Sequence, residues 1–295
     1  MDHAADVREI VLVDCPDEVG LIHRITGVLG GHRLNIESNH EFVDTDARHF
    51  FFRAEVTRAG DPPASSASAA GLAGELARVL PPAARVRVKR AERRPIVVCA
   101  TREPHCLGEL LLLDAVGDLP GRIVAVVSNH DLLRGLVERF GLPFHHVPHQ
   151  DAAGRDLPRE VHEAALAGVI DAHSPEYVVL ARYMRVLSEG FVARYPDRIV
   201  NIHHSFLPAF AGASPYRQAF ARGVKVIGAT AHIVTAELDD GPIIAQDVIH
   251  VDHTFTPERM AQAGRDVEKL VLAKAVRLVL EERVFLHGRR TVVFD

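Results

Sequence analysis

Cysteine is scarce in this chain, charge of one sign is in small excess, and long apolar runs are missing. The three cysteines, Cys15, Cys99 and Cys106, are too few and too irregularly spaced for a disulfide framework or a Cys-x-x-Cys metal site, so a reducing cytoplasm is the expected setting. A formal charge of −5 over 295 residues implies no basic face, which argues against nucleic acid or a membrane surface as partner. No uncharged stretch approaches the ~18 residues of a membrane-spanning helix. The acidic N-terminal residues lead into only a short apolar run, unlike a signal peptide. Histidine, by contrast, is abundant at 18. His203, His204, His232, His250 and His253 raise the question of a metal, but none of them pair at the helical i, i+4 spacing of a ligand motif, so no metal is expected.

The length exceeds that of a typical single domain and 47% apolar residues can fill two cores, so two domains are expected, 1–90 and 91–295. The first reads as strand, helix, strand, strand, helix, strand, the ferredoxin-like βαββαβ order. Glu9 to Val13 is a strand, and Asp17 is placed to cap a helix carrying Val19, Ile22, Ile25, Val28 and Leu29, which Gly30-Gly31 ends. Leu34 to Val43 and Ala47 to Val56 form a hairpin, Gly71 to Leu80 a helix and Arg85 to Val88 a last strand. The Pro/Ser/Ala-rich stretch Ala59 to Gly74 reads as a surface loop, and charged Lys89 to Pro95 as a solvated linker.

From Ile96 apolar strands alternate with helices, which specifies a doubly wound, mostly parallel sheet with a cleft at the strand C-termini. Expected strands are Ile96 to Ala100, Arg122 to Val127, Phe144 to Val147, Tyr177 to Leu180 and Arg198 to Ile202. Thr256 and Pro257 open a long helix, and a hairpin around His287 to Arg290 closes the chain. Asn201-Ile202-His203-His204-Ser205 falls at the end of a strand, and Glu237 to Pro242 in the loop after the next. An amide, an imidazole and a carboxylate there, Asn201, His203 and Asp239, suit acyl transfer or hydrolysis at a small carbonyl, with no serine or cysteine nucleophile. Read singly, Asn201 is a turn cap, His203 a core histidine and Asp239 the start of a tight turn. Asn129, at the end of the second strand, is a candidate for the same cleft, and His105, at a helix start, for a structural or catalytic role.

The spelling N-I-H-x-S-x-L-P (Asn201, His203, Ser205, Leu207, Pro208), then G-x-T-x-H (Gly228, Thr230, His232), then L-D-x-G-P with Gln246 (Leu238, Asp239, Gly241, Pro242) resembles the formyltransferases that use formyltetrahydrofolate. That resemblance implies that Asn201, His203 and Asp239 are the catalytic set and that Met184, Arg185, Val186, Leu187 and Leu238 hold the folate, with formyltetrahydrofolate as substrate and no cofactor. The loop Thr101 to Gly108 departs from the Gly/Ser/Asn loop that receives phosphate in the members acting on glycinamide ribonucleotide: Glu103 and Pro104 add negative charge and remove a donor.

The run D-C-P-D-E-V-G-L-I-H-R-I-T-G-V-L with Asn35-Ile36 resembles the ACT domain, which implies homo-oligomers through these domains and an amino-acid effector, glycine or methionine, near Asp17, Gly20, Leu21 and Asn35. With His204 where the transferases usually carry proline, and with Ile249 to Thr254, nearly the whole chain resembles the formyltetrahydrofolate deformylases. Water is then the acceptor, and the formate released feeds purine biosynthesis and balances the one-carbon pool. Transfer to an amine remains the alternative, and a regulatory amino-acid binder with a lapsed catalytic domain a further one.

Overall fold

A computed structural model describes residues 8–58, 69–208 and 215–295. The chain divides into two compact units, Met1–Glu92 with Phe294, and Arg93–Val293 with Asp295. The first holds β1 (Arg8–Pro16), α1 (Leu21–Gly31), β2 (Leu34–Asp44), β3 (His49–Arg58), α2 (Ala69–Val79) and β4 (Arg85–Arg90). Its four strands run in the order β2-β3-β1-β4, every neighbouring pair antiparallel. One face of that sheet, with Val11, Val13, Phe50, Phe52 and Val56, meets Leu21, Ile25 and Leu29 of α1 and Leu72 and Leu76 of α2. Period-2 apolar strands against helices with an i, i+4 stripe account for that core.

Local differences from the sequence reading have physical reasons. Asp17 does not cap α1. The N-cap is Gly20 in the left-handed region at φ +88°, a conformation glycine adopts without a Cβ clash, and the backbone N–H of Asp17 donates instead to the Arg48 carbonyl at 2.8 Å. Lys89 to Pro95 is not an irregular linker, since β4 runs through Arg90 and the next strand opens at Arg94. Nor is Arg94 solvated: 5% exposed, it pairs with Glu176 and, at 3.2 Å, with Glu282. Positions 59–68 of the expected surface loop lie outside the described residues, and Ala69 to Gly74 of it are helix.

The second unit holds β5 (Arg94–Ala100), α3 (His105–Val116), β6 (Gly121–Ser128), α4 (Arg134–Arg139), β7 (Phe144–His146), α5 (Arg159–Ala172), β8 (Tyr177–Ala181), α6 (Glu189–Arg194) and β9 (Ile199–His203). Beyond these come α7 (Pro215–Arg222), β10 (Val226–Ile233), β11 (Ile243–His250), α8 (Pro257–Leu280), β12 (Val284–His287) and β13 (Arg290–Val293). The sheet order is β11-β10-β9-β8-β5-β6-β7. Strands β5 to β9 pair in parallel, as their near-continuous apolar runs require with helices on both faces. β10 and β11 add on antiparallel at the β9 edge. The strand order turns at β5, flanked by β8 and β6, so the C-terminal ends of β5, β8 and β9 open onto a crevice. Thr256 caps α8 by accepting from the Arg259 N–H at 3.2 Å, with Pro257 in the first turn.

Candidate active site

β9 carries the centre. Ile199 and Val200 are fully buried and fix the strand, so alternation sends Asn201 and His203 out on one face at its C-terminal end. Across the ladder Asn201 lies opposite His232 of β10. His232 is 2% exposed, and its Nδ1 lies 2.9 Å from the Ile233 carbonyl. That contact puts the proton on Nδ1, leaving Nε2 to accept from the Asn201 amide at 3.2 Å. Burial holds His232 below the ordinary imidazole range, which keeps this neutral tautomer. One N–H of Asn201 is thus spent on orientation, and the amide has a second to donate elsewhere.

The carboxylate arrives by a different route from two strand ends on one side of the sheet. Because β10 is antiparallel to β9, the β10–β11 loop has to double back, and it does so tightly. Ile233 N–H donates to the Pro242 carbonyl at 2.9 Å, and Gly241 packs so close that a Cβ there would lie 1.7 Å from the Ile233 carbonyl oxygen. Asp239, at φ +55°, then reaches its Oδ1 to 3.2 Å from His203 Nδ1 and 3.9 Å from His232 Nε2. The hydrogen bond from His203 is the largest influence on Asp239 and holds its carboxyl below the usual carboxylate range, against the opposing effect of burial. With Nδ1 engaged, His203 keeps Nε2, which is buried and has no hydrogen-bond partner among the described residues.

Asn201, His203 and Asp239 line one cavity of about 770 Å³, together with Met184, Arg185, Val186, Leu187 and Leu238. Met184, Val186 and Leu238 are 56%, 53% and 68% exposed, an apolar rim suited to a flat heteroaromatic ring. Two side chains that the sequence did not single out set this segment. Thr101, at the end of β5, accepts from the Met184 N–H at 2.9 Å, and Glu163 of α5 accepts from the Ser188 N–H at 2.7 Å. Ser188 in turn caps α6. His232 lay in the G-x-T-x-H spelling, but its role in holding Asn201 needed the strand register.

Other candidates fall elsewhere. Asn129 is buried against His149, 3.1 Å from its Nδ1. His105 lies 2.8 Å from Glu268, which gives it a structural partner. His105, Cys106 and Glu268 have potential ligand atoms within 4.8 Å of one another. Arg182, 3.4 Å from Glu268, already supplies the counter-charge, and burial pushes the Cys106 thiol well above its ordinary range, so this group does not favour a cation. His204 is neighbour to His203, ring centroids 5.2 Å apart, and burial lowers it to about 4. In the first unit Leu21 is a core residue, while Asp17, Gly20 and Asn35 are exposed around the β1–α1 turn and the start of β2.

The formyl transferase family model matches residues 94–276 and the ACT domain model residues 10–65. The chain is 50% identical to a formyltetrahydrofolate deformylase of Haemophilus influenzae over 97% of its length and 99% of that protein. It is 51% identical to the enzyme of that name in Escherichia coli K12, over 97% and 98%. Among solved structures it is similar to a formyltetrahydrofolate deformylase from Pseudomonas syringae, with a TM-score of 0.90 and 39% identity over 99% of this chain and 96% of that one. A glycinamide ribonucleotide transformylase from Symbiobacterium toebii matches with a TM-score of 0.64 and 35% identity, over 69% of this chain and 95% of that one. An ACT domain followed by a formyl transferase domain, with full-length relatives of one kind, places this chain in the formyltetrahydrofolate deformylase family.

Proposed function

We propose that the chain hydrolyses 10-formyltetrahydrofolate to formate and tetrahydrofolate, with Asn201, His203 and Asp239 as the reacting set. The observation that carries the assignment is the 3.2 Å contact of Asp239 with His203 Nδ1, which leaves His203 Nε2 buried and uncommitted in the cavity. Asp239 fixes the tautomer, so Nε2 takes a proton from water as the water oxygen bonds to the formyl carbon. The carbonyl electrons move to oxygen, where the Asn201 N–H donates. Collapse of the adduct breaks the bond to folate N10, and His203 returns the proton to that nitrogen. The balance needs water and the formyl donor alone, so formyltetrahydrofolate enters as substrate and no resident cofactor has a step to perform. Met184 to Leu187 and Leu238 hold the pterin.

The test is formate release from formyltetrahydrofolate with water as the sole acceptor. Asn201→Ala and Asp239→Ala are each expected to lower the rate by about a hundred- to a thousand-fold, the usual cost of one oxyanion donor or its orienting partner, with the melting profile kept. Near-normal turnover in either variant removes the role given to that residue, and an absolute requirement for an amine replaces hydrolysis by transfer. The released formate would supply purine biosynthesis and balance the one-carbon pool. The ACT unit would act as the regulatory domain, with glycine or methionine bound near Asp17, Gly20, Leu21 and Asn35 in a homo-oligomer. Three free, buried cysteines support work in a reducing cytoplasm, and among the described residues no helix is long and apolar enough to cross a membrane.

A further inference from the structure

Between Ala181, the last residue of β8, and Glu189, the first of α6, the chain forms neither helix nor strand. Tyr183 to Leu187 of that stretch line the cavity. The peptide groups of Arg185, Val186 and Leu187 make no hydrogen bond to another described residue. Arg182, which opens the stretch, sits at φ +62°, where a side chain is disfavoured. A segment with no ladder of its own, entered through a strained residue, does not keep one shape unaided, so its shape has to be imposed by neighbours.

α5 is placed to impose it. His162, Leu166 and Ile170, with Glu163 and Ala167, follow the i, i+4 spacing of one buried helix face. Leu166, Ala167 and Ile170 share a core with Val97 of β5, Val127 of β6 and Val178 of β8, which fixes the helix. At the first turn the same face becomes polar, where His162 and Glu163 are only 4% and 7% exposed. His162 Nδ1 lies 3.1 Å from the Pro148 carbonyl and so carries the proton, which leaves Nε2 to accept from the Tyr183 hydroxyl at 2.9 Å. Burial lowers His162 from the ordinary imidazole range and thereby keeps that acceptor. Glu163 accepts from the Ser188 N–H at 2.7 Å through one oxygen and from the Ser188 hydroxyl through the other. That hydroxyl in turn accepts from the Phe191 N–H at 3.2 Å. Consecutive residues of one helical turn thus grip Tyr183 and Ser188, the two ends of the segment, and Thr101 adds a point at Met184. The peptide groups between remain open to a ligand.

We propose that His162 and Glu163 are positioning residues for the formyl donor, holding the segment between them in the shape that receives the pterin. The inference rests on the assignment of Met184 to Leu187 to that ring. A segment that adopts the binding shape only part of the time weakens the apparent affinity in proportion to the fraction lost. The reacting groups stand on other elements, Asn201 and His203 on β9 and Asp239 after β10, so the loss is expected in KM and not in kcat.

The test is steady-state hydrolysis of formyltetrahydrofolate by the full chain, with a melting profile for each variant. Tyr183→Phe, which releases one end and keeps the ring, and Glu163→Ala, which releases the other, should each raise KM by about tenfold or more, with kcat kept to within about twofold. Glu163→Gln, which still accepts from the Ser188 N–H and meets the Ser188 hydroxyl with an N–H, should restore most of the wild-type KM. An unchanged KM in folded Tyr183→Phe and Glu163→Ala variants overturns the proposal. So does a fall in kcat at unchanged KM, which would make the pair part of the reaction, or a Gln variant no better than the Ala variant. Should Glu163→Ala fail to fold, Tyr183→Phe decides alone. Val186→Asp, which puts a charge on the segment itself, separates this proposal from the assignment beneath it. An unchanged KM there removes the segment from the folate site, whereas a raised KM there beside an unchanged KM in the other variants sinks the positioning role alone.

Discussion

His203 and His204 are adjacent in the chain and differ in their surroundings. His203 gives its Nδ1 to an ionised Asp239, while His204 is isolated by burial and held at about 4. A group at that value stays neutral across the range where an ordinary imidazole titrates. Replacing His204 by Asn is therefore expected to leave the shape of the pH–rate profile unchanged between about pH 5 and 8, whatever happens to its height; disappearance of an inflection in that window would show that His204 titrates there. The stability effects of the two groups have one sign. The folded state holds His204 below its ordinary 6.5, so its burial costs stability as pH falls from 6.5 toward about 4, where the unfolded chain takes up the proton first. Asp239, also held low, contributes stability above its unfolded-state value and loses it as pH falls through the lower folded one. At this scale the sequence made Asn201, His203 and Asp239 legible, because their residue types are what carbonyl chemistry demands. It could not reveal that His232 orients Asn201, since that depends on which residue of β10 faces which residue of β9.

Among elements, the β10–β11 loop bears the most on function, because it alone brings the carboxylate to the imidazole. Its geometry depends on the absence of a side chain at Gly241, where a Cβ would collide with the Ile233 backbone. Gly241→Ala should therefore shift Asp239 off His203 and lower kcat by about a hundredfold or more, the scale of a misplaced catalytic group, with little change in KM. Steady-state kinetics with a near-ultraviolet spectrum would check it, and an unaltered kcat would show that the loop tolerates the shift. Strand and helix order was readable from apolar periodicity in both units. The antiparallel run of β10 and β11 was not, because β10 is buried on both faces and such a strand reads as apolar in either direction. The cap of α1 was misplaced for a related reason: an acid ahead of an apolar stripe signals a helix start, but the left-handed Gly20 set the start three residues further on.

At the scale of the whole molecule, a unit that matches the ACT model and a unit that matches the formyl transferase model share one chain, each with its own core. If the first unit regulates, glycine or methionine should change the hydrolysis rate, and Asn35→Ala should abolish that change without altering the rate in their absence. Titration of the amino acids against formate release would check both, and a response that survives in the variant would move the effector elsewhere. Arg94 has a further bearing on how the second unit comes into being. It opens β5, an inner strand of the sheet, but its partners Glu176 and Glu282 lie 82 and 188 positions further along, the second of them beyond α8. Until Glu282 has been synthesised, that cation lacks one of its two carboxylate partners, so the start of β5 reaches its full pairing only after α8 is complete.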